Sequence, residues 1–382
     1  MYLKKTLYNS DFEFCLIENS QQLKNFCEQI IDGDIIAIDT EFTRRVTYYP
    51  ILSTIQIALK KTNQKKILAL IDVVSCKDIT LIINIINNVN IVKIFHSSLQ
   101  DLQIFHKISQ KIPQNIFDTQ IMANFCQQNA NIGYSALVKN LFSVDICKKM
   151  QNSDWQSRPL NQSQIDYAIV DVLFLHEIYE NFCDILKSSN QYDWLIEEMQ
   201  NYVDKIFKIN PNNLLKSFNI SKFDKITINR LNNLLLLREK YAKICDLPRE
   251  HLIKNDDLLD LANLSKNISF YQNLPTDFVK EISSQLNDID EISDLDFPIK
   301  LTAGQKNYLD KIKSLISKIA KKYQFSEQFL LNNNQIKNIV INNNVKNSIN
   351  GWRYQIMGNQ IEQILFTKHE NNHRKLENES RL

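Results

Sequence analysis

Four carboxylates and one tyrosine carry the chemistry that this sequence offers. Asp39 and Glu41 stand in Asp39-Thr40-Glu41-Phe42, directly after the apolar run Ile35–Ile38. A strand continuing through them would put both acids on one face, because side chains alternate with period two. A turn at a strand edge would carry the same acids in solvent with no function. Asp101 lies in Phe95-His96-Ser97-Ser98-Leu99-Gln100-Asp101-Leu102, where a strand ends and a helix begins. The helix macrodipole alone favours an acid in that first turn. Tyr167 and Asp171 are spaced i,i+4 on a helix and share one face, which in isolation also fits a hydrogen-bonded core contact. Gathered at one sheet end, the four acids would repel by roughly 3 kcal/mol per pair at ~5–6 Å and an effective dielectric near ~20. Either some stay protonated or divalent cations sit among them. An all-oxygen donor set with no His or Cys favours Mg²⁺ or Mn²⁺. Two such ions ~3.5–4 Å apart activate water on one side of a phosphodiester and stabilise the leaving oxygen on the other.

Positioning these residues requires a sheet and helices, and the apolar pattern supplies both. Ile35–Ile38, Ile55–Leu59, Ile67–Ile71 and Ile91–Phe95 are short runs rich in Ile and Val, which predicts buried strands. Lys60–Lys66 is a connector of hairpin length, and Asp78–Asn88 and Leu99–Ile108 have helical spacing. An antiparallel hairpin region followed by α/β units results. From Ser163 to Lys187 the apolar spacing predicts one long amphipathic helix opened by a Ser N-cap, and strand signals then end. Beyond a Pro/Asn-rich break at Asn210–Asn213 the chain reads as helical and contains a repeat. Asp246–Ala262 aligns without gaps on Gln324–Val340, pairing Leu252 with Leu330, Asn255 with Asn333 and Leu261 with Ile339. Two small helical domains follow from this, with a linker near Asp294–Lys300 and a polar tail from Lys368.

Composition narrows the class. The chain has 382 residues, 44% apolar and 23% charged, enough for two or three domains. Its five glycines (Gly33, Gly133, Gly304, Gly351 and Gly358) match neither phosphate-cradling loop motif, which argues against a P-loop NTPase or a Rossmann dehydrogenase. Seven scattered cysteines with no C-x-x-C argue against a disulfide framework or structural zinc, and a reducing cytoplasm is the expected compartment. Asp11 and Glu13 interrupt Met1–Ser20 before any sustained apolar stretch, so it does not read as a secretory signal, and no bilayer-spanning segment is expected. The Asn-rich stretches near 332–350 are read as coding bias. The net charge of +2 divides into −4 over residues 1–200 and +6 over 201–382, an acidic half joined to a basic one.

The order Asp-x-Glu, then Asp, then Tyr-x-x-x-Asp resembles the DEDD 3′→5′ exonucleases of ribonuclease H-like fold, in their tyrosine subgroup. The histidine subgroup would have His where Asp166 stands. Thr47-Tyr48-Tyr49-Pro50, Phe117-Asp118-Thr119-Gln120 and Asp154-Trp155-x-x-Arg158-Pro159-Leu160 look like the ribonuclease D family. The repeated helical segments resemble tandem HRDC domains, with Gly351-Trp352-Arg353 similar to the end of the second copy. This resemblance implies an α/β exonuclease domain, a mixed sheet flanked by helices, over residues 1–205. Two small all-α HRDC-type domains follow at 212–293 and 300–367, then a tail at 368–382. It implies that Asp39, Glu41 and Asp171 hold a metal near the nucleophile. Asp39 would bridge to a second metal, Asp101 would support that one directly or through water, and Tyr167 would orient the attacking water. Two Mg²⁺ or Mn²⁺ ions are implied, acting in a monomeric exoribonuclease that trims RNA 3′ ends in tRNA maturation and releases 5′-monophosphates. Phe42, Gln56, His96, Arg44 and Tyr48 are candidate nucleic-acid contacts. Arg44, Arg45, Tyr48 and Tyr49 alternate base with aromatic, and Lys300–Lys322 has seven lysines against Asp310. The rivals are the same chemistry on DNA 3′ ends and a nuclease-inactive RNA-binding protein, whose mark would be a missing acid; none is missing.

Overall fold

The structure, a computed structural model, describes residues 3–366 apart from 45, 62–64, 148, 209–213, 269–270, 272–273 and 288–300. The expected break at 210–213, the linker at 294–300, the tail at 368–382 and Arg45 therefore lie outside the described residues or largely so. The chain opens with a hairpin, β1 (Leu3–Leu7) and β2 (Ser10–Ile17), turned by Tyr8 and Asn9 at φ 49° and 61°. Two left-handed residues match the twist of the flanking strands. Helix α1 (Ser20–Cys27) leads to β3 (Ile35–Thr43), β4 (Ile51–Leu59) and β5 (Ile67–Asp72), then α2 (Val73–Cys76), α3 (Thr80–Ile86) and β6 (Val92–Phe95). After α4 (Leu99–Ser109) come β7 (Ile116–Asp118), α5 (Thr119–Phe125) and α6 (Tyr134–Phe142). The sheet is mixed and seven-stranded, ordered β1-β2-β5-β4-β3-β6-β7. β3 pairs antiparallel with β4 and parallel with β6.

The four expected strands are present. Three more, β1, β2 and β7, were not predicted: β1 is largely exposed and charged, and β7 is three residues long. The first run extends to Thr43, so Asp39 and Glu41 lie within a strand and not in an edge turn.

The helix expected over 163–187 is two helices, α7 (Gln162–Leu173) and α8 (Leu175–Ser188). Tyr134 explains the break. Its hydroxyl donates to Val170 O at 2.8 Å and accepts from Phe174 N at 3.1 Å, occupying both partners of the i→i+4 bond that would join the helices. The cap also lies two residues earlier than expected. Asn161, not a serine, accepts from Gln164 N, while Gln164 Oε1 accepts from Asn161 N, each at 3.0 Å, a capping box.

Ala37 and Ala58 stand opposite each other on the face covered by α7 and α8, leaving room for α7 against the sheet. Ile36, Ile38, Ile55 and Ile57 form the other face with α1, α3 and α4. Helix α9 (Tyr192–Phe207) runs two residues past the expected boundary at 205.

The helical region keeps the repeat in three dimensions. α10 (Lys225–Cys245), α11 (Arg249–Leu252) and α12 (Asn255–Ala262) are followed by α13 (Thr276–Asn287). At a constant offset of 78 residues begin α14 (Ala303–Tyr323), α15 (Glu327–Leu330) and α16 (Asn333–Asn342). Both long helices end on a left-handed residue, Asp246 and Gln324. The first unit has its own core, around Leu231, Leu258 and Phe278. The second, closed by α17 (Gly351–Arg353) and a π turn at Tyr354–Gly358, shares one core with α5 and α9. Among the described residues no helix is long and apolar enough to cross a membrane.

Candidate active site

β3 presents Asp39 and Glu41 toward α7, and α7 presents Tyr167 and Asp171 one turn apart. One carboxylate oxygen from each of Asp39, Glu41 and Asp171 lies within 4.8 Å of the others. Burial, then the charges of Asp171, Asp101 and Glu41, hold the Asp39 carboxyl well above the usual range. Burial with Asp171 and Asp101 pushes Glu41 up to about 9. Three carboxylates this close cannot all ionise unaided. A hard divalent cation on an all-oxygen donor set relieves the repulsion, so these residues fit the implied metals.

Asp101 stands apart from this trio, although its charge acts on both Asp39 and Glu41. Thr40, whose side chain points away from Asp39 and Glu41, donates its hydroxyl to Asp101. Burial, partly offset by that bond, pushes Asp101 up to about 7. The turn before α4 is fixed by Asp118, whose carboxylate accepts from Ser97 N at 3.0 Å and from Ser98 N and Oγ at 2.8 Å. The motif around Asp118 thus places the helix that carries Asp101.

Tyr167 hydrogen-bonds Asp171, and burial, with the neighbouring acids, raises its phenol well above the ordinary value, so it is protonated at neutral pH. Trp155 packs on it, ring centroids 6.1 Å apart. The loop bearing Trp155 is clamped by Arg158, which donates from Nε and Nη2 to the two oxygens of Asp72 at 2.6 Å and from Nη1 to Trp155 O at 2.7 Å. Gln164 Nε2 ties α7 to the same loop through Asp154 O at 3.0 Å.

The candidate nucleic-acid contacts are dispersed. Phe42 follows a bulge at Glu41/Phe42 and is half-buried. Gln56 is opposite Asp39 and fully buried; Nε2 donates to Thr54 Oγ1 at 2.9 Å and Oε1 has no hydrogen-bond partner. His96 lies just past β6, not within it, with Nδ1 2.9 Å from Thr119 Oγ1 and Nε2 3.1 Å from Ile132 O. Arg44 is exposed at the end of β3. Tyr48 reaches the first helical unit, its hydroxyl donating to Glu239 and its ring 5.3 Å from the Arg249 guanidinium. The lysines of α14 are exposed. Sequence reading passed over Thr40, Tyr134 and the Asp72–Arg158 clamp. Of these, Thr40 and Arg158 stood in noticed motifs, and Tyr134 and Asp72 did not.

Comparison with known proteins agrees with this geometry. The sequence profile of a family described as 3′-5′ exonuclease matches residues 14–187. Ribonuclease D of Jannaschia sp. (strain CCS1) is 30% identical over 247 residues, 64% of this chain and 64% of that protein, so the alignment spans less than two thirds of that relative. Ribonuclease D of Bartonella henselae is 28% identical over 92% of this chain and 89% of its own. The crystal structure of Escherichia coli RNase D, described as an exoribonuclease involved in structured RNA processing, has 24% identity and a TM-score of 0.75. It covers 93% of this chain and 99% of that one, and so shares the fold, helical region included. A mixed sheet carrying an Asp-Thr-Glu strand against a Tyr-Asp helix, inside a region matched by a 3′-5′ exonuclease family, makes this chain similar in sequence to curated ribonucleases D and in fold to Escherichia coli RNase D.

Proposed function

We propose that the chain is a metal-dependent 3′→5′ exoribonuclease that trims RNA 3′ ends, tRNA precursors among them, and releases 5′-monophosphates. The observation that carries this reading is the convergence of Asp39, Glu41 and Asp171 within 4.8 Å beneath Tyr167. Asp39, Glu41 and Asp171 would hold one divalent ion, and Asp39 with Asp101, directly or through water, the other; Mg²⁺ or Mn²⁺ suits these donors. Such ions supply Lewis acidity, lowering the pKa of a water and offsetting charge on the leaving oxygen. Tyr167, kept protonated by burial, acts by hydrogen bonding and not as a base: it orients the water that attacks phosphorus. Thr40 holds Asp101, and Trp155 holds the tyrosine ring. The reading is of a monomer in the cytoplasm, and the relatives' names favour RNA over DNA.

A 3′-extended RNA labelled at its 5′ end tests it. The protein should shorten the RNA stepwise with Mg²⁺ and stop on chelation, and Asp39→Ala or Asp171→Ala should each lower the rate by at least about 10³-fold, the several kcal/mol expected of metal catalysis. Circular dichroism should show both variants folded. Retained activity in both, or cleavage of circular RNA, would sink the assignment. A matched DNA strand digested as fast as the RNA would favour the DNA reading, since only RNA offers a 2′-OH.

A further inference from the structure

The loop leaving β3 crosses onto the first helical unit. Tyr48 donates to Glu239 of α10, and Tyr49 N donates to Asp246 Oδ1 at 3.0 Å. Beside this seam lies a cavity of about 480 Å³. Arg44 from the catalytic domain and Arg238 and Arg249 from the helical unit line it, with His251 and the hydroxyls of Thr47 and Ser217. Glu250 is the one acid in its lining. Positive charge is in excess there even after the pairing of Arg249 with Glu239.

Arg238 is the more telling residue. It is 4% exposed, and Nη1 donates to Ile253 O at 3.1 Å and to Asn255 Oδ1 at 2.9 Å. Glu250 is 3.7 Å from it, and Nε has no hydrogen-bond partner. Arg44 makes no ion pair with a described residue. Leaving a buried guanidinium donor unmet is costly, and a phosphate oxyanion is the ligand that its planar fork fits. A second cavity, about 330 Å³, shares Arg44, Tyr48 and Arg249 and adds Lys205, Lys208 and Lys243. Its wall includes Leu99 and Gln103 of α4, the helix that carries Asp101. Along the other route, Arg44 is three residues past Glu41, roughly 10 Å of strand.

We propose that this seam is a phosphate-binding track for the single-stranded RNA upstream of the 3′ end held at the acids, with Arg44 and Arg238 as its oxyanion contacts. The track rests on the exoribonuclease reading above. It assigns the buried arginine a ligand, and it gives the junction between catalytic domain and first helical unit a part in substrate binding.

The test uses the full chain in chelator, where no cleavage occurs, and a single-stranded RNA with a 5′ fluorophore, read by anisotropy across a salt series. Arg44→Ala should weaken binding severalfold and reduce the slope of log K against log salt by about 0.7, one phosphate contact on a single strand. Glu250→Gln, an exposed position whose change removes the cavity's acid, should tighten binding. Wild-type affinity and slope in both variants would overturn the track. So would displacement of the RNA by inorganic phosphate in a background of constant ionic strength, which would mark a free-anion site. If wild type digests RNA with Mg²⁺ while the variants bind unchanged, only the track fails; if wild type digests none, the underlying reading fails.

Discussion

His176, on α8, is 2% exposed, with Nε2 3.0 Å from Ile35 O and no partner at Nδ1. The ring is therefore neutral with its proton on Nε2, and burial pushes its pKa down to about 4. An unfolded histidine titrates near ~6.5. Below that pH the unfolded chain takes up a proton that the folded chain refuses until about 4. The stability this group contributes is full above pH ~6.5 and is lost as pH falls toward 4, on the order of 3 kcal/mol. Urea unfolding at pH 7 and pH 4.5 reads it: His176→Gln, which keeps a donor toward Ile35 O, should lose less stability on acidification than the wild type. An equal pH slope in both proteins would refute it. Nothing in the sequence marked His176, whereas the acids of the candidate site were legible there. The difference is physical: metal-supported hydrolysis demands particular residue types at strand and helix spacings, while Thr40 finds Asp101 across 61 positions of chain, a meeting that only the folded sheet creates.

At the scale of elements, local periodicity located what is continuous and missed what is interrupted from afar. The apolar pattern of 163–187 carries no break, because the break is imposed by Tyr134 from another helix. Likewise the loop before α7 is ordered by Asp72 at the end of β5, on which Arg158 forms a two-point ion pair with side chains 3% and 18% exposed. The same guanidinium holds Trp155 O and, at 3.2 Å, Ser53 O, so one residue joins β4, β5 and the loop that anchors α7. Removing one partner of such a pair leaves a buried charge uncompensated. Asp72→Ala is expected to cost about 3–5 kcal/mol in chemical denaturation. It should also lower the proposed exonuclease activity, because Trp155 and Gln164 transmit the loop's position to Tyr167. A loss below about 1 kcal/mol would show that the clamp does not hold the loop.

Across the whole molecule the two helical units, alike in their first three helices, dock in opposite ways. The first meets the sheet domain through polar contacts of Tyr48 and Tyr49 with Glu239, Asp246 and Arg249, an interface of the kind that permits relative motion. The second is fused to it. Trp352 is fully buried, stacks on Trp194 at 5.4 Å and meets Phe125 at 5.5 Å. Glu197 Oε2 accepts from Trp352 N at 3.0 Å, and Glu198 Oε2 accepts from Trp352 Nε1 at 3.2 Å and pairs with Arg353. This fit depends on Gly351. Its φ is +53°, and a methyl group there would sit 1.5 Å from Glu197 Oε1. Alanine must therefore both adopt a left-handed backbone and expel the carboxylate that caps Trp352, which together should cost about 1–3 kcal/mol. Thermal unfolding of Gly351→Ala measures the sum, and adding Glu197→Ala separates its parts. If the clash contributes, the double variant should be more stable than the sum of the two single changes allows, with only the backbone strain of about 1–2 kcal/mol separating it from Glu197→Ala alone. Wild-type stability in Gly351→Ala would mean that the second unit is not held by this contact.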